Sequence, residues 1–132
     1  MDKSDGDNQV NFSVRGENLN FDEISDALGI SPTSTHRAGD PSRLKNKPFP
    51  CDAWILESPL ALDEPLDVHL RWLTDKLTPH YAYIKSLKAQ ADLSIWWSYI
   101  TEEEQNSLVV TSDALDIFTA LGIPLVVSIH VI

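Results

Sequence analysis

The stretch that leaves this chain least choice of fold is Asp92 to Ile100. Leu93, Ile95, Trp97 and Tyr99 fall at every second position, with Ser94, Trp96, Ser98 and Ile100 between them. A period of two is the signature of a β-strand. Only Ser94 and Ser98 are polar in the second set, so the pattern reads as a central strand, apolar towards both sides of its sheet. Trp96 and Trp97 are adjacent and must leave that sheet through opposite faces. One enters the core. The other is covered by the chain's own helices or by the loop at 31–51, or it stands exposed as a partner anchor, a role in which tryptophan is enriched.

The rest of the chain must supply strands to flank this one and helices to cover it. Val10, Phe12 and Val14 alternate with Asn11, Ser13 and Arg15, a half-buried strand. Asn20 caps a helix, with Glu23 placed for a capping box, and Phe21, Ile24, Ala27 and Leu28 form its apolar stripe. Gly29 stops it in the left-handed conformation and Ile30 closes the end. Asp52 to Ser58 is a second strand, with Ala53, Ile55 and Glu57 on one side and Trp54, Leu56 and Ser58 on the other. Pro65 opens a long helix with Leu66, Leu70, Leu73 and Leu77 along one face, widened by Val68 and Trp72. Thr78-Pro79 breaks or kinks that helix, and Tyr81, Ile84 and Leu87 continue its stripe.

Leu108 to Val110 reads as a short strand. Ser112 caps a last helix that buries Leu115, Phe118 and Leu121, Gly122 ends it, and Pro124 to Ile132 is the last strand. Ala27-Leu28-Gly29-Ile30 and Ala120-Leu121-Gly122-Ile123 are the same tetrapeptide. It reflects a shared helix-stop chemistry or a pseudo-twofold pair of strand–helix units. The order β-α-β-α-β-β-α-β predicts an α+β two-layer sandwich. Its sheet is mainly antiparallel with helices packed on one face, of the split βαβ or ferredoxin-like kind.

Length and charge narrow the function. At 132 residues, the chain is expected to form one domain over 10–132, preceded by a flexible tail at 1–9. That tail, MDKSDGDNQ, is polar and acidic and does not read as a secretory signal. No apolar run approaches the ~20 residues of a membrane span. Cys51 is the single cysteine, which fits the cytoplasm. The net charge of -10 opposes general nucleic-acid binding and suits solubility or a basic partner. No basic residue follows Lys88, and the remaining 44 residues carry Asp92, Glu102, Glu103, Glu104, Asp113 and Asp116.

The segment from Ile30 to Cys51, ISPTSTHRAGDPSRLKNKPFPC, runs against this charge. It sets Arg37, Arg43, Lys45 and Lys47 against Asp40 alone, a net +3 on a chain of -10. Pro32, Pro41, Pro48 and Pro50 exclude a regular helix, and a loop this long in a compact domain is usually functional or disordered. His36, Arg37, Asp40 and Arg43 could hold an anion or move a proton, or serve only as solvated loop polar groups. Elsewhere chemistry is sparse. His36, His69, His80 and His130 show no metal spacing. His69 and Asp75 are expected on the exposed or boundary side of the long helix. Cys51 precedes a strand, with no helix N-terminus to activate it. There is no nucleophile elbow, phosphate loop or dinucleotide fingerprint. No catalytic residue, metal or cofactor is expected.

Several of these features occur together in a known family. They are the helix ending Leu28-Gly29-Ile30 with Pro32 beyond it, the Gly39-Asp40 pair, and Trp54 and Ser58 in the Trp-Ile-Leu-Glu-Ser strand. The Leu-rich helix and a terminal helix–Leu-Gly-Ile–strand unit complete the set. In these the chain resembles the bacterial family known as domain of unknown function 4279, from about Val10 to the end. The resemblance implies a small cytoplasmic bacterial α+β protein and brings no catalytic residues with it. Members of such families occur among candidate immunity proteins of contact-dependent or secreted toxin systems.

Two functions follow as expectations. The first is occlusion without turnover of a basic protein such as a nuclease toxin, met by Trp96, Glu102, Glu103, Glu104, Asp113 and Asp116. The second is a small anionic-ligand binder or enzyme built on loop 31–51 through His36, Arg37, Asp40 and Arg43. Homo-oligomerisation through an edge at Pro124–Ile132 is a third possibility.

Overall fold

The computed structural model describes residues 6–42, 47–103 and 108–132. Its elements are β1 (Asp7–Gly16), α1 (Phe21–Leu28), β2 (Ser34–His36), β3 (Asp52–Glu57), α2 (Leu66–Leu77), α3 (Tyr81–Leu87), β4 (Asp92–Thr101), α4 (Ser112–Leu121) and β5 (Leu125–Val131). The strands form one open sheet in the order β2-β3-β1-β4-β5. β1 is the middle strand, antiparallel to β3 and β4, with Phe12 opposite both Leu56 and Ile95. β3 and β4 therefore run parallel with β1 between them, a split βαβ unit whose connection is α2 and α3. Among the described strands, β4 and β5 form the one directly adjacent parallel pair. The architecture is the α+β sandwich that the periodicities predict.

All four helices bury their stripes on one face of the sheet. Leu70, Leu73, Leu77 and Ile84 are fully buried beside Val10, Phe12, Val14, Trp54 and Ile95. Each such side chain contributes about 2 kcal/mol of transfer free energy. Pro79 acts as the sequence requires. The helix passes through a 3-10 turn at Thr78–His80, where the Thr78 hydroxyl donates to the Thr74 carbonyl at 2.6 Å. Asn20 caps α1 by accepting the Glu23 amide at 3.1 Å. Gly29 and Gly122 end α1 and α4 at φ 63 and 66, and Ile30 and Ile123 close the turns through the Ser25 and Phe118 carbonyls. The repeated tetrapeptide thus reflects shared helix-stop chemistry. The two surrounding units differ, because α1 leads to β2, two strands from β1, whereas α4 leads to β5, the neighbour of β4.

Six local expectations are corrected. The first strand begins at Asp7, not Val10, because Asn8 is drawn inward (1% exposed). The flexible tail survives as an expectation only for residues 1–5, which lie outside the described residues. Ser34–His36 makes a strand inside the expected loop by pairing with Ala53–Ile55, while Leu108–Val110 makes none. Thr111, not Ser112, caps α4. α4 turns Ile117 and Leu121 inward and leaves Leu115 40% exposed, so its buried face follows Ala114, Ile117, Phe118 and Leu121. His69 is buried, not at the boundary.

Candidate functional site

The two free edges of the sheet are unlike. β2 is three residues long and follows Pro32, so it offers little to an added strand. β5 is a seven-residue run, LVVSIHV, without a charged residue or a proline. α4 packs towards α2 and α3, so it leaves the helix-side face of β5 uncovered. Val127, Ile129 and Val131 continue the inward rows of Trp97, Tyr99 and Thr101, yet they remain 45%, 61% and 54% exposed. Natural sheets blunt such edges with charge, proline or a bulge. An uncharged apolar edge left in register is a template for another chain.

Acidic side chains border this edge. Glu102 and Glu103 follow the last residue of β4, which pairs with Val131. α4 crosses back from the end of β4 to the start of β5, which brings its first turns to the same end of the sheet. Asp113 and Asp116 lie there, exposed and, like Glu102 and Glu103, without an ion pair among the described residues. Glu104 lies outside the described residues. Trp96 does not join this group. It projects from the helix-free face, where its Nε1 donates to Ser94 Oγ at 2.9 Å and the Arg15 guanidinium sits 4.8 Å above its ring. Its side chain is half-buried there. Of the six residues expected to meet a partner, the five that are described are therefore divided by the sheet.

The basic loop is a clamp. Arg37 Nη1 donates to Asp52 Oδ2 and to the Leu19 carbonyl, each at 2.7 Å, and its guanidinium lies 3.9 Å from the centre of the Phe21 ring. The Arg37 and Ala38 amides donate to Asp40 and Asp52, each at 2.8 Å. The Ala38 amide, then Arg37, hold the Asp52 carboxyl below the usual carboxylate range, against its burial. His36 stacks on Phe49 at 3.5 Å, and burial, then the charge of Arg15, lower its pKa. Arg37 and Asp40 are thus occupied with each other and with Asp52, and His36 is driven towards neutrality. Arg43 lies outside the described residues. Among the described residues of the four, Arg37 and Asp40 are engaged within the clamp and His36 is stacked on Phe49.

A buried serine–histidine pair went unanticipated. Ser58 Oγ and His69 Nδ1 are 2.7 Å apart, with the residues 8% and 1% exposed. Burial lowers the His69 pKa, against the pull of the Ala61 and Glu64 carbonyls, so the ring is neutral near pH 7. The Leu60 amide donates to Ser58 Oγ at 3.4 Å. Which group donates across this contact depends on the tautomer of the ring, and among the described residues Nε2 has no hydrogen-bond partner. Neither residue lines one of the described clefts. The pair joins the end of β3 to α2.

The family model described as domain of unknown function (DUF4279) matches residues 7–132. The chain belongs to the DUF4279 family. No curated protein and no solved structure matched it. The match begins where β1 begins, so the DUF4279 domain and the sheet start together.

Three polar residues that organise this DUF4279 domain carry a shared sequence signal. Asn8, Asp52 and His69 stand in inward positions of apolar patterns. Asn8 shares the register of Val10, Phe12 and Val14, and Asp52 that of Trp54 and Leu56. His69 falls in the Leu66–Leu70–Leu73 stripe. A polar group in an inward register needs a partner. Asn8 finds Trp97 Nε1 at 2.8 Å and the Glu64 carbonyl at 3.0 Å.

Proposed function

We propose that this chain is a non-catalytic binding protein of the bacterial cytoplasm that occludes a basic polypeptide, as an immunity protein occludes its toxin. The observation that carries the proposal is the β5 edge, paired with β4 on one side only, with Val127, Ile129 and Val131 exposed beside Glu102, Glu103, Asp113 and Asp116. An extended segment of the partner adds to β5 by main-chain hydrogen bonds, and the three side chains supply apolar contact. The acids and the net -10 steer a basic chain to this edge and repel acidic competitors. The partner residues are therefore Val127, Ile129 and Val131 with the four acids. Trp96 lies outside the contact.

Capture from a lysate of the source cell, at low and at physiological salt, tests this reading. The expected result is one basic polypeptide retained in equal amount by the wild type. Ile129→Asp, at an exposed position, loses it while its circular dichroism stays unchanged. Glu102→Lys with Glu103→Lys slows association most at low salt. Equal retention by Ile129→Asp refutes the reading, as does a salt-independent dimer of the chain with no second polypeptide.

A further inference from the structure

We infer that the end of the sheet where β4 and β5 begin binds a monoanionic carboxylate carrying an apolar tail. A cleft of about 400 Å³ opens there, with Arg15, Lys88 and Asp92 as its charged groups and Leu93, Ile123 and Pro124 among its apolar ones. A second cleft of about 280 Å³ shares the three charged groups and extends it. This site is separate from the β5 edge and does not depend on the partner proposed there.

Arg15 carries the inference. Its guanidinium is fixed 4.8 Å above the Trp96 ring. Its Nε is buried and has no hydrogen-bond partner, a situation native structures seldom leave unexplained. Asp92 is its cross-strand neighbour, yet among the described residues the two side chains make no ion pair and the Arg15 side chain makes no hydrogen bond. The charge is felt nearby, since it helps lower the pKa of His36. Lys88 Nζ stands at the same cleft, donating to the Leu121 carbonyl at 3.0 Å. That leaves it two further N–H donors.

The ligand class follows from these groups. A guanidinium fork matches a carboxylate in two parallel hydrogen bonds. Two cations and one carboxylate leave the cleft a single net positive charge, which suits one negative charge on the ligand. A phosphate dianion would meet Asp92 uncompensated. The apolar wall at Leu93, Ile123 and Pro124 receives a hydrocarbon tail. A free short-chain acid and the C-terminus of a polypeptide ending in an apolar residue share this chemistry.

The test is titration with hexanoate, with a leucine-ended peptide having a free or an amidated C-terminus, and with inorganic phosphate. The Trp96 indole N–H resonance reports occupancy. Saturable shifts with hexanoate or the free-ended peptide, and none with the amidated peptide, are expected. Tighter binding of the peptide identifies a polypeptide tail, and tighter binding of hexanoate a free acid. Arg15→Gln weakens binding by about tenfold or more, the loss of one charge-assisted pair, and Arg15→Lys weakens it less. Lys88→Gln serves if Arg15→Gln does not fold. No saturation by either acid at millimolar concentration overturns the inference. Undiminished binding to the Arg15→Gln and Lys88→Gln variants, or phosphate binding as tightly as hexanoate, also overturns it.

Discussion

Replacing Ser58 by Ala isolates the buried pair that joins β3 to α2. His69 Nε2 already lacks a partner, and the 2.7 Å contact to Ser58 is the hydrogen bond of the other ring nitrogen. Ser58→Ala therefore leaves a buried imidazole with neither nitrogen satisfied, at a cost of about 1–3 kcal/mol. For a chain of 132 residues, a loss of about 2 kcal/mol lowers Tm by roughly 7 °C. His69→Leu removes the same bond from the other side, and the double variant loses less than the two singles together, a coupling of about 1 kcal/mol. Acidity supplies a second readout. The folded pKa of His69 lies below 6.5, so below pH 6.5 the unfolded chain binds more protons than the folded one. Its contribution is complete above pH 6.5 and is lost as pH falls through the folded value. His36 titrates in the same sense, so His69→Leu flattens the slope without abolishing it. Urea unfolding followed by tryptophan fluorescence, at about pH 7.5 and about pH 5.5, measures both effects. A Ser58→Ala cost below about 0.5 kcal/mol, or an unchanged slope in His69→Leu, refutes the assignment.

Asp52→Asn and Arg37→Gln each release the clamp, and limited proteolysis is expected to cut between 37 and 51 while the core resists. The Asp52 pKa is lowered below 3.8, so its stabilisation is present above that pH and lost on further acidification. Asp52→Asn removes this part of the acid transition, as urea unfolding across pH 3 to 5 will show. Gly29→Ala and Gly122→Ala both force a side chain into the left-handed region, at about 1 kcal/mol each. Gly122→Ala costs more in thermal unfolding, because its Cβ would stand 2.7 Å from Lys88 Nζ, displacing the ammonium from the Leu121 carbonyl. Trp96→Phe leaves partner capture unchanged, since Trp96 faces away from the helix side.

Much of the fold is legible in the sequence because apolar spacing alone decides it. Leu93, Ile95, Trp97 and Tyr99 declare the long strand, and Leu66, Leu70, Leu73 and Leu77 the long helix. What escapes depends on partners distant in the chain. Ser34–His36 is a strand only because β3 lies beside it, and no local period announces three polar residues. The arginine of the loop reads as free charge until Asp52, fifteen residues on, is seen to receive it. Trp96 and the acids of α4 lie near one another in the chain, but the alternation of β4 sends Trp96 through the helix-free face while α4 packs on the other. The β5 edge is half legible: its apolar alternation is plain, while its exposure follows from α4 leaning towards α2 and α3.

Hydrogen exchange of the complex captured from the source cell tests the central claim most directly. Partner addition to β5 predicts slowed exchange of the outward amides between Val126 and Val131, with little change between Ser94 and Ser98. Protection across Ser94–Ser98 and the Trp96 face, with β5 unchanged, would contradict it.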